Sequence, residues 1–250
     1  DKLSFIIIIF LFSFLTANTL FAEDTVDKQE KDENQAKLVV LSEYSKDGKK
    51  KWNLTSESAE IYSMKKIKLT NPTGSLYEYD KLSMELKADE GFYERDKKNI
   101  SLKDNVVIEQ KDGKGSIRTD SLDWNSETAT LSTEDSIKLE KDNVILVGDK
   151  MQVKKDEQTA ELKENVKLKV FGEDESKHPT ILTSQGKMVV NYNENIIEFY
   201  DKVIVTDPRA ILKADYVKIY INKEKQNLEK VFCSGNVEIE QEDKRAVSNE

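Results

Sequence analysis

The chain has 250 residues, a formal net charge of −9, 35% charged and 37% apolar residues, and a single Cys. Its Lys residues are interleaved with Asp and Glu and form no basic block, which argues against nucleic acid as a partner. One Cys forbids an internal disulfide, and this modest apolar content suits a thin sheet stack with one wet face better than a thick globular core.

At the N-terminus, Lys2 precedes an apolar run from Leu3 to Leu15 that fades through Thr16, Asn18 and Thr19 to Ala22. The dense stretch Phe5 to Leu15 fits the apolar region of a signal peptide, with Ala22 as the cleavage residue. The whole span from Leu3 to Ala22 also reaches the roughly 20 residues of a membrane-crossing helix. Residues 1–22 are therefore expected to form one hydrophobic helix, either a signal peptide or a membrane anchor, and both imply export across the inner membrane. No Cys follows this segment, so a lipid attachment there is not expected. Residues 23–36 are charged and lack aromatics, and read as a disordered tether.

From residue 37 onward the chain repeats itself. An acidic or turn residue is followed seventeen positions later by a β-branched residue that opens a strand: Asp89 and Val106, Asp120 and Ile137, Asp149 and Val166, Gly186 and Val203. A looser copy runs from Asp215 to Val237. Successive anchors lie 31, 29, 37 and 29 residues apart, within the range of stacked repeat architectures. Each unit is too small to bury its own apolar face, so neighbours must stack.

The unit reads as a pair of strands. In Ile100-Ser-Leu102-Lys-Asp-Asn-Val106-Val-Ile108 the even positions are mostly apolar and the odd ones mostly polar, and Asp104-Asn105 supplies a turn or bulge. The alternation returns at Ile137-Lys-Leu139, Val166-Lys-Leu168-Lys-Val170 and Val217-Lys-Ile219-Tyr-Ile221, while polar connectors of hairpin length separate the strands. No extended 3.6-residue apolar stripe follows the N-terminal segment, so an all-β ladder is expected, apolar on one face and Lys/Glu-rich on the other. At Gly172-Glu-Asp-Glu-Ser-Lys-His-Pro179 the repeat lengthens and charge, Gly and Pro cluster, which marks a boundary or insertion. The last strong strand, Val231 to Glu240, is followed by a polar tail. Its edge, carrying Val237 and Ile239, is expected to lie open to a partner strand.

These segments carry a family resemblance. Leu41-Ser-Glu-Tyr44, Trp52-Asn-Leu54, Ala88-Asp-Glu-Gly91-Phe-Tyr93, Leu102-Lys-Asp-Asn-Val106, Thr119-Asp-Ser-Leu122 and Gly148-Asp-Lys-Met151 resemble the LptC component of lipopolysaccharide export. Ile181-Leu-Thr-Ser184, Gly186-Lys-Met188, Asp201-Lys-Val203, Ala214-Asp215 and Ser234-Gly-Asn-Val237-Glu-Ile239 look like its relative LptA, of the OstA-like group. The resemblance implies an LptC-like β-jellyroll over 37–172, a linker at 173–180 and an LptA-like segment, incomplete as a domain, over 181–250. The fold it implies is a twisted open jellyroll of repeated strand pairs behind one N-terminal hydrophobic helix.

It further implies a non-enzymatic periplasmic protein, with the N-terminal helix as its inner-membrane anchor if retained. Such a protein holds the acyl chains of lipid A, the lipid part of lipopolysaccharide, in an apolar β-groove. Its expected partners are lipopolysaccharide, an inner-membrane ABC transporter, and LptA-like bridge subunits or a second copy joined by edge-strand pairing. An exported adhesive β-solenoid and a glycan-binding β-protein are the alternatives. By strand parity the groove candidates are Leu102, Val106, Ile108, Leu122, Trp124, Leu131, Ile137, Leu139, Met151, Leu162, Val166 and Leu168, each of which also fits an ordinary core position.

Nothing in the chain composes a catalytic constellation, and no cofactor or metal is expected. The only His, His178, sits beside Pro179 in the charged linker and reads as a solvated loop residue. Cys233 reads as a small buried strand residue. Gly113-Lys-Gly-Ser116 lacks phosphate-loop spacing and reads as a hairpin turn. Asp89, Asp120 and Asp149 are single carboxylates far apart, which suits local turn-stabilising Asx roles better than calcium. Trp52 and Trp124 fall in separate units and read as core. Limited proteolysis is expected to cut first within 23–35 and then within 172–178, before any strand. Strand cleavage ahead of the second site, mapped by mass spectrometry, would argue for one continuous stack.

Overall fold

The computed structural model describes residues 35–45, 47–63, 65–78, 81–172, 178–224, 227–241 and 244–248. The apolar segment 1–22 with its expected helix, nearly all of the tether, and 173–177 of the linker lie outside them. The described residues form strands and turns without a helix, and every strand pairing described is antiparallel. The all-β reading therefore holds.

Two compact units emerge. The N-terminal unit takes in residues 35–135 and 154–156. It contains β1 (Gln35–Tyr44), β2 (Lys50–Ser63), β3 (Lys66–Thr70), β4 (Thr73–Glu78), β5 (Lys81–Lys87), β6 (Glu90–Glu94), β7 (Asn99–Gln110), β8 (Gly115–Asn125) and the first half of β9 (Thr130–Lys141). The C-terminal unit takes in 136–153 and 157–248. It contains the rest of β9, β10 (Val144–Lys154), β11 (Thr159–Val170), β12 (Thr180–Ser184), β13 (Met188–Asn191), β14 (Ile196–Asp207), β15 (Ala210–Asn222), β16 (Asn227–Ser234), β17 (Val237–Gln241) and β18 (Lys244–Ser248). Within it, β11 and β12 pair from Val166–Ser184 to Val170–Thr180, on either side of the expected linker.

The repeat anchors turn out to be corners. β7 pairs with β6 through Asn99–Lys103 and with β5 through Val107–Gln110, and β5 and β6 are parted at Ala88-Asp89. β15 pairs with β16 through Tyr216–Asn222 and with β17 through Ile211–Lys213, and those two are parted at Gly235-Asn236. A long strand thus bends where its neighbour is broken. The bend is a bulge: the β7–β8 register slips between Lys103 and Val106, where Asp104 and Asn105 take φ of 61° and 52°. Asn is the residue best suited, after Gly, to that left-handed conformation.

The same Asn supplies a bond across the corner. Asn105 Nδ2 donates to Asp89 Oδ2 at 2.6 Å, Asn165 to Asp149 at 2.6 Å, and Asn236 to Asp215 at 2.7 Å. The Asp residues were expected to brace their own local turns. At Asp89 and Asp149 the carboxylate instead grips an Asn within the next long strand, sixteen residues away, and at Asp215 it grips Asn236 in the break between β16 and β17, twenty-one residues away. Gly186 replaces Asp at the fourth anchor because a Cβ there would meet Tyr200 O at 2.6 Å. Its own N–H donates to that carbonyl at 3.1 Å.

The opposite ends of the strand pairs are locked as well. Nine residues beyond successive anchors, Lys98, Ala129, Gln158 and Asn195 close their turns with φ between 48° and 55°. Each carbonyl then accepts from the next turn: Ser126 N–H to Lys98, Lys155 to Ala129, Tyr192 to Gln158 and Ile221 to Asn195, at 3.0 to 3.1 Å. Corner and turn fix the register on either side of a strand, so alternate residues keep to one face.

Asn165→Ala removes the bond to Asp149 and places a Cβ-bearing residue of lower αL preference at φ 53°. It is expected to destabilise the fold by about 1–2 kcal/mol, and Asn165→Gly by less, because Gly keeps the backbone conformation. Urea denaturation midpoints at unchanged slope measure both.

Candidate functional site: two apolar clefts

The N-terminal unit encloses an open cleft of about 100 Å³. Cross-strand pairs build its walls: Trp52 opposite Leu76 on β2 and β4, Ile100 opposite Trp124 and Leu102 opposite Leu122 on β7 and β8. Leu54, Tyr77, Leu86 and Leu131 add to the apolar lining. Asn53 Oδ1 is buried and accepts no hydrogen bond among the described residues, leaving one unsatisfied polar atom on a residue of the cleft wall.

A larger cleft of about 320 Å³ lies in the C-terminal unit. Leu168, Leu182, Val205, Ile219, Leu228 and Val231 form most of its wall. Thr180 brings a hydroxyl to it, but that group donates to Asp207 Oδ2 at 2.7 Å.

The twelve groove candidates divide accordingly. All but Trp124 are buried, but only Leu102, Leu122, Trp124 and Leu131 border the first cleft and only Leu168 the second. Val106, Ile108, Ile137, Leu139, Met151, Leu162 and Val166 are at most 2% exposed and border neither. Strand parity finds the inward face, but it does not tell a residue facing a void from one facing another side chain. Trp52 and Trp124, expected as core in separate units, meet in one cleft and are only half-buried. The signal for them was available: a large ring on the inward face opposite Leu or Ile, with Gly74 leaving space beside Leu86.

The edge expected at Val237 and Ile239 needs correction. β17 pairs with β15 through Glu238–Glu240 and with β18 through Val237–Gln241, so its backbone is engaged on both sides. The tail that looked too polar to cover it does so through main-chain bonds, which need no apolar side chain. Among the described residues the outer sides of β16 and β18 both carry no partner; on β16 Leu228, Val231 and Phe232 are 44 to 46% exposed, and on β18 Val247 is 64% exposed. His178 is exposed, and Cys233 is half-buried, its thiol pushed up by burial. Gly113 closes the β7–β8 hairpin at φ 71°. No cluster of three or more His, Cys, Asp or Glu among the described residues could hold a metal ion.

A family model, described as LptC-related lipopolysaccharide assembly, matches residues 3–172. The chain belongs to this family. No curated protein matches it. The first cleft lies wholly within the LptC-matched segment, whereas the second shares only Leu168 and Val170 with it. Membership makes the chain a component of lipopolysaccharide transport. Among the described residues no helix is long and apolar enough to cross a membrane.

Asp207 closes the β14–β15 hairpin beside the second cleft. Bonds from the Arg209 side chain and then from Thr180 hold its carboxyl down at about 2. A depressed carboxyl stabilises the fold above its unfolded value near 4 and loses that contribution as pH falls toward 2. The urea midpoint is therefore expected to drop between pH 5 and pH 2.5, and Asp207→Asn is expected to shrink the drop, since Asn cannot ionise.

Proposed function

We propose that this LptC-related chain carries lipopolysaccharide through the periplasm, without catalysing a reaction, by sheltering lipid A acyl chains inside an open, twisted β-jellyroll. The observation that supports this most is the first cleft: a half-open, almost wholly apolar space inside the family-matched segment. A water-filled site of this lining is unfavourable, whereas each methylene sheltered contributes roughly 0.8 kcal/mol before ordering costs. An acyl chain entering the cleft lies between the Trp52–Leu76 and Ile100–Trp124 pairs that line it.

In this reading residues 1–22 deliver the chain to the inner membrane, as signal or retained anchor, beside an ABC transporter that supplies the lipid. The LptC-like part runs to 172 and an LptA-like part begins at 181. The next bridge subunit, LptA-like or a second copy, adds a strand along β16, where an unpartnered edge and exposed apolar side chains coincide. The adhesive solenoid and glycan-binding readings lack a comparable observation.

Photo-crosslinking amino acids at Leu122 and Leu131 are expected to capture lipopolysaccharide in cells, and those at Lys138 and Lys167, on the outward face, are not. Equal capture on both faces would contradict transport through the interior.

A further inference from the structure

We infer that β18 is a displaceable cover: it holds half of the track that an incoming strand needs, and a second copy of this chain strips it from β17 in order to dock its β1 along β16 and β17. This rests on the edge-strand reading above, to which it adds a competitor built into the chain.

The strand order shows the track. β12 and β13 lie end to end between two long strands, with β11 pairing to both on one side and β14 to both on the other. β16 and β17 repeat that arrangement but have only one long neighbour, β15. On their far side β18 pairs with β17 alone, from Val237–Ser248 to Gln241–Lys244, and among the described residues nothing pairs with β16 there. A long strand seated on β16 and continuing along β17 therefore meets the backbone of β18 in its path. Half of the edge is open and half is occupied.

β18 is weakly held in that place. In the equivalent position β11 buries Leu162, Val166, Leu168 and Val170, whereas all five residues of β18 are exposed. Opposite Val237 and Ile239 stand only Ser248 and Ala246, and Ile239 stays 41% exposed. Arg245 pairs with Glu238 and, at 3.8 Å, with Glu240, but Lys213 of β15 reaches the same two carboxylates at 3.4 and 3.7 Å and still neutralises them when Arg245 leaves. Exposed pairs of this kind add little, and an incoming strand remakes the main-chain bonds that β18 gives up. It also gains apolar contact. The β15–β16 register slips between Tyr220 and Ile221, so Leu228 and Val231, three apart in sequence, both reach the second cleft and stand half-open at the edge. β1 suits this track: among the described residues its ten-residue length pairs along one side only, with β2, and it carries alternate apolar residues such as Val39 and Leu41.

Ile239 and Ala246 stand directly opposite each other, so Ile239→Cys with Ala246→Cys, in a Cys233→Ser background, can be oxidised to lock β18 onto β17. The probe is a fluorescein-labelled peptide of residues 35–44, titrated with the full chain and followed by fluorescence anisotropy. The oxidised protein is expected to bind it roughly ten-fold more weakly than the same protein after reduction, because half of the main-chain track is withheld. The reduced form serves as the control for folding. Arg245→Glu sets a third carboxylate beside Glu238 and Glu240 and is expected to bind the peptide about three-fold more tightly than wild type. Equal binding by the oxidised and reduced forms overturns the cover and leaves the edge-strand reading standing. A peptide bound by no form overturns both.

Discussion

The bond between a corner carboxylate and the asparagine of the next bulge is the constraint on which the architecture depends. A strand of a dozen residues with one apolar face tends to stay straight and stack on its neighbour. Placing Asn105 and Asn165 at φ near 50° and tying them to Asp89 and Asp149 obliges it to bend at one point, and the Asn236–Asp215 bond ties the break between β16 and β17 to β15. Each such corner lets one strand serve two shorter ones, and the apolar faces turn inward on both sides of it. Buried hydroxyls do related work elsewhere. The Ser56 hydroxyl donates to Thr70 O at 2.7 Å, and the Ser184 hydroxyl donates to Tyr200 O.

With corners and turns fixed by polar bonds, the interior is not required to be filled everywhere. Leu139, Leu146, Val190 and Phe199 pack with no exposure, and the clefts persist beside such solid regions. The outer face is kept apart by charge. Lys66 and Lys103 lie over the Phe92 ring at 5.2 and 5.7 Å, and Lys218 and Lys230 over Tyr220 at 5.4 and 5.5 Å. Surface ion pairs such as Lys68 with Glu90 add little stability individually, but with these lysines they deny the outer aromatics to an apolar ligand. A chain with two unlike faces can therefore offer lipid a place on one only.

The repeat, the strand pairs and the inward face were legible because they are written in local periodicity and in Asp/Asn/Gly punctuation. What was hidden depends on partners distant in sequence. Asp89 reads as a turn residue until Asn105 is seen beside it. Trp52 and Trp124 read as separate cores until β2, β4, β7 and β8 close around one space. β18 is fully exposed along Lys244–Ser248 and has no apolar rhythm, so only its backbone pairing with β17 reveals it. Leu228 escapes parity because of a one-residue slip. The coverage of an edge and the position of a void are properties of register, and alternation alone does not determine register.

The central claim is that the interior, and not the outer face, receives acyl chains. The chain has only two tryptophans, and both line the first cleft, so intrinsic fluorescence reports on that space directly. Titration with a fatty acid brominated at mid-chain, alongside Trp52→Phe and Trp124→Phe variants, tests it. The account predicts saturable quenching in wild type and in each single variant. Saturable binding of the brominated chain with tryptophan emission unchanged would contradict it.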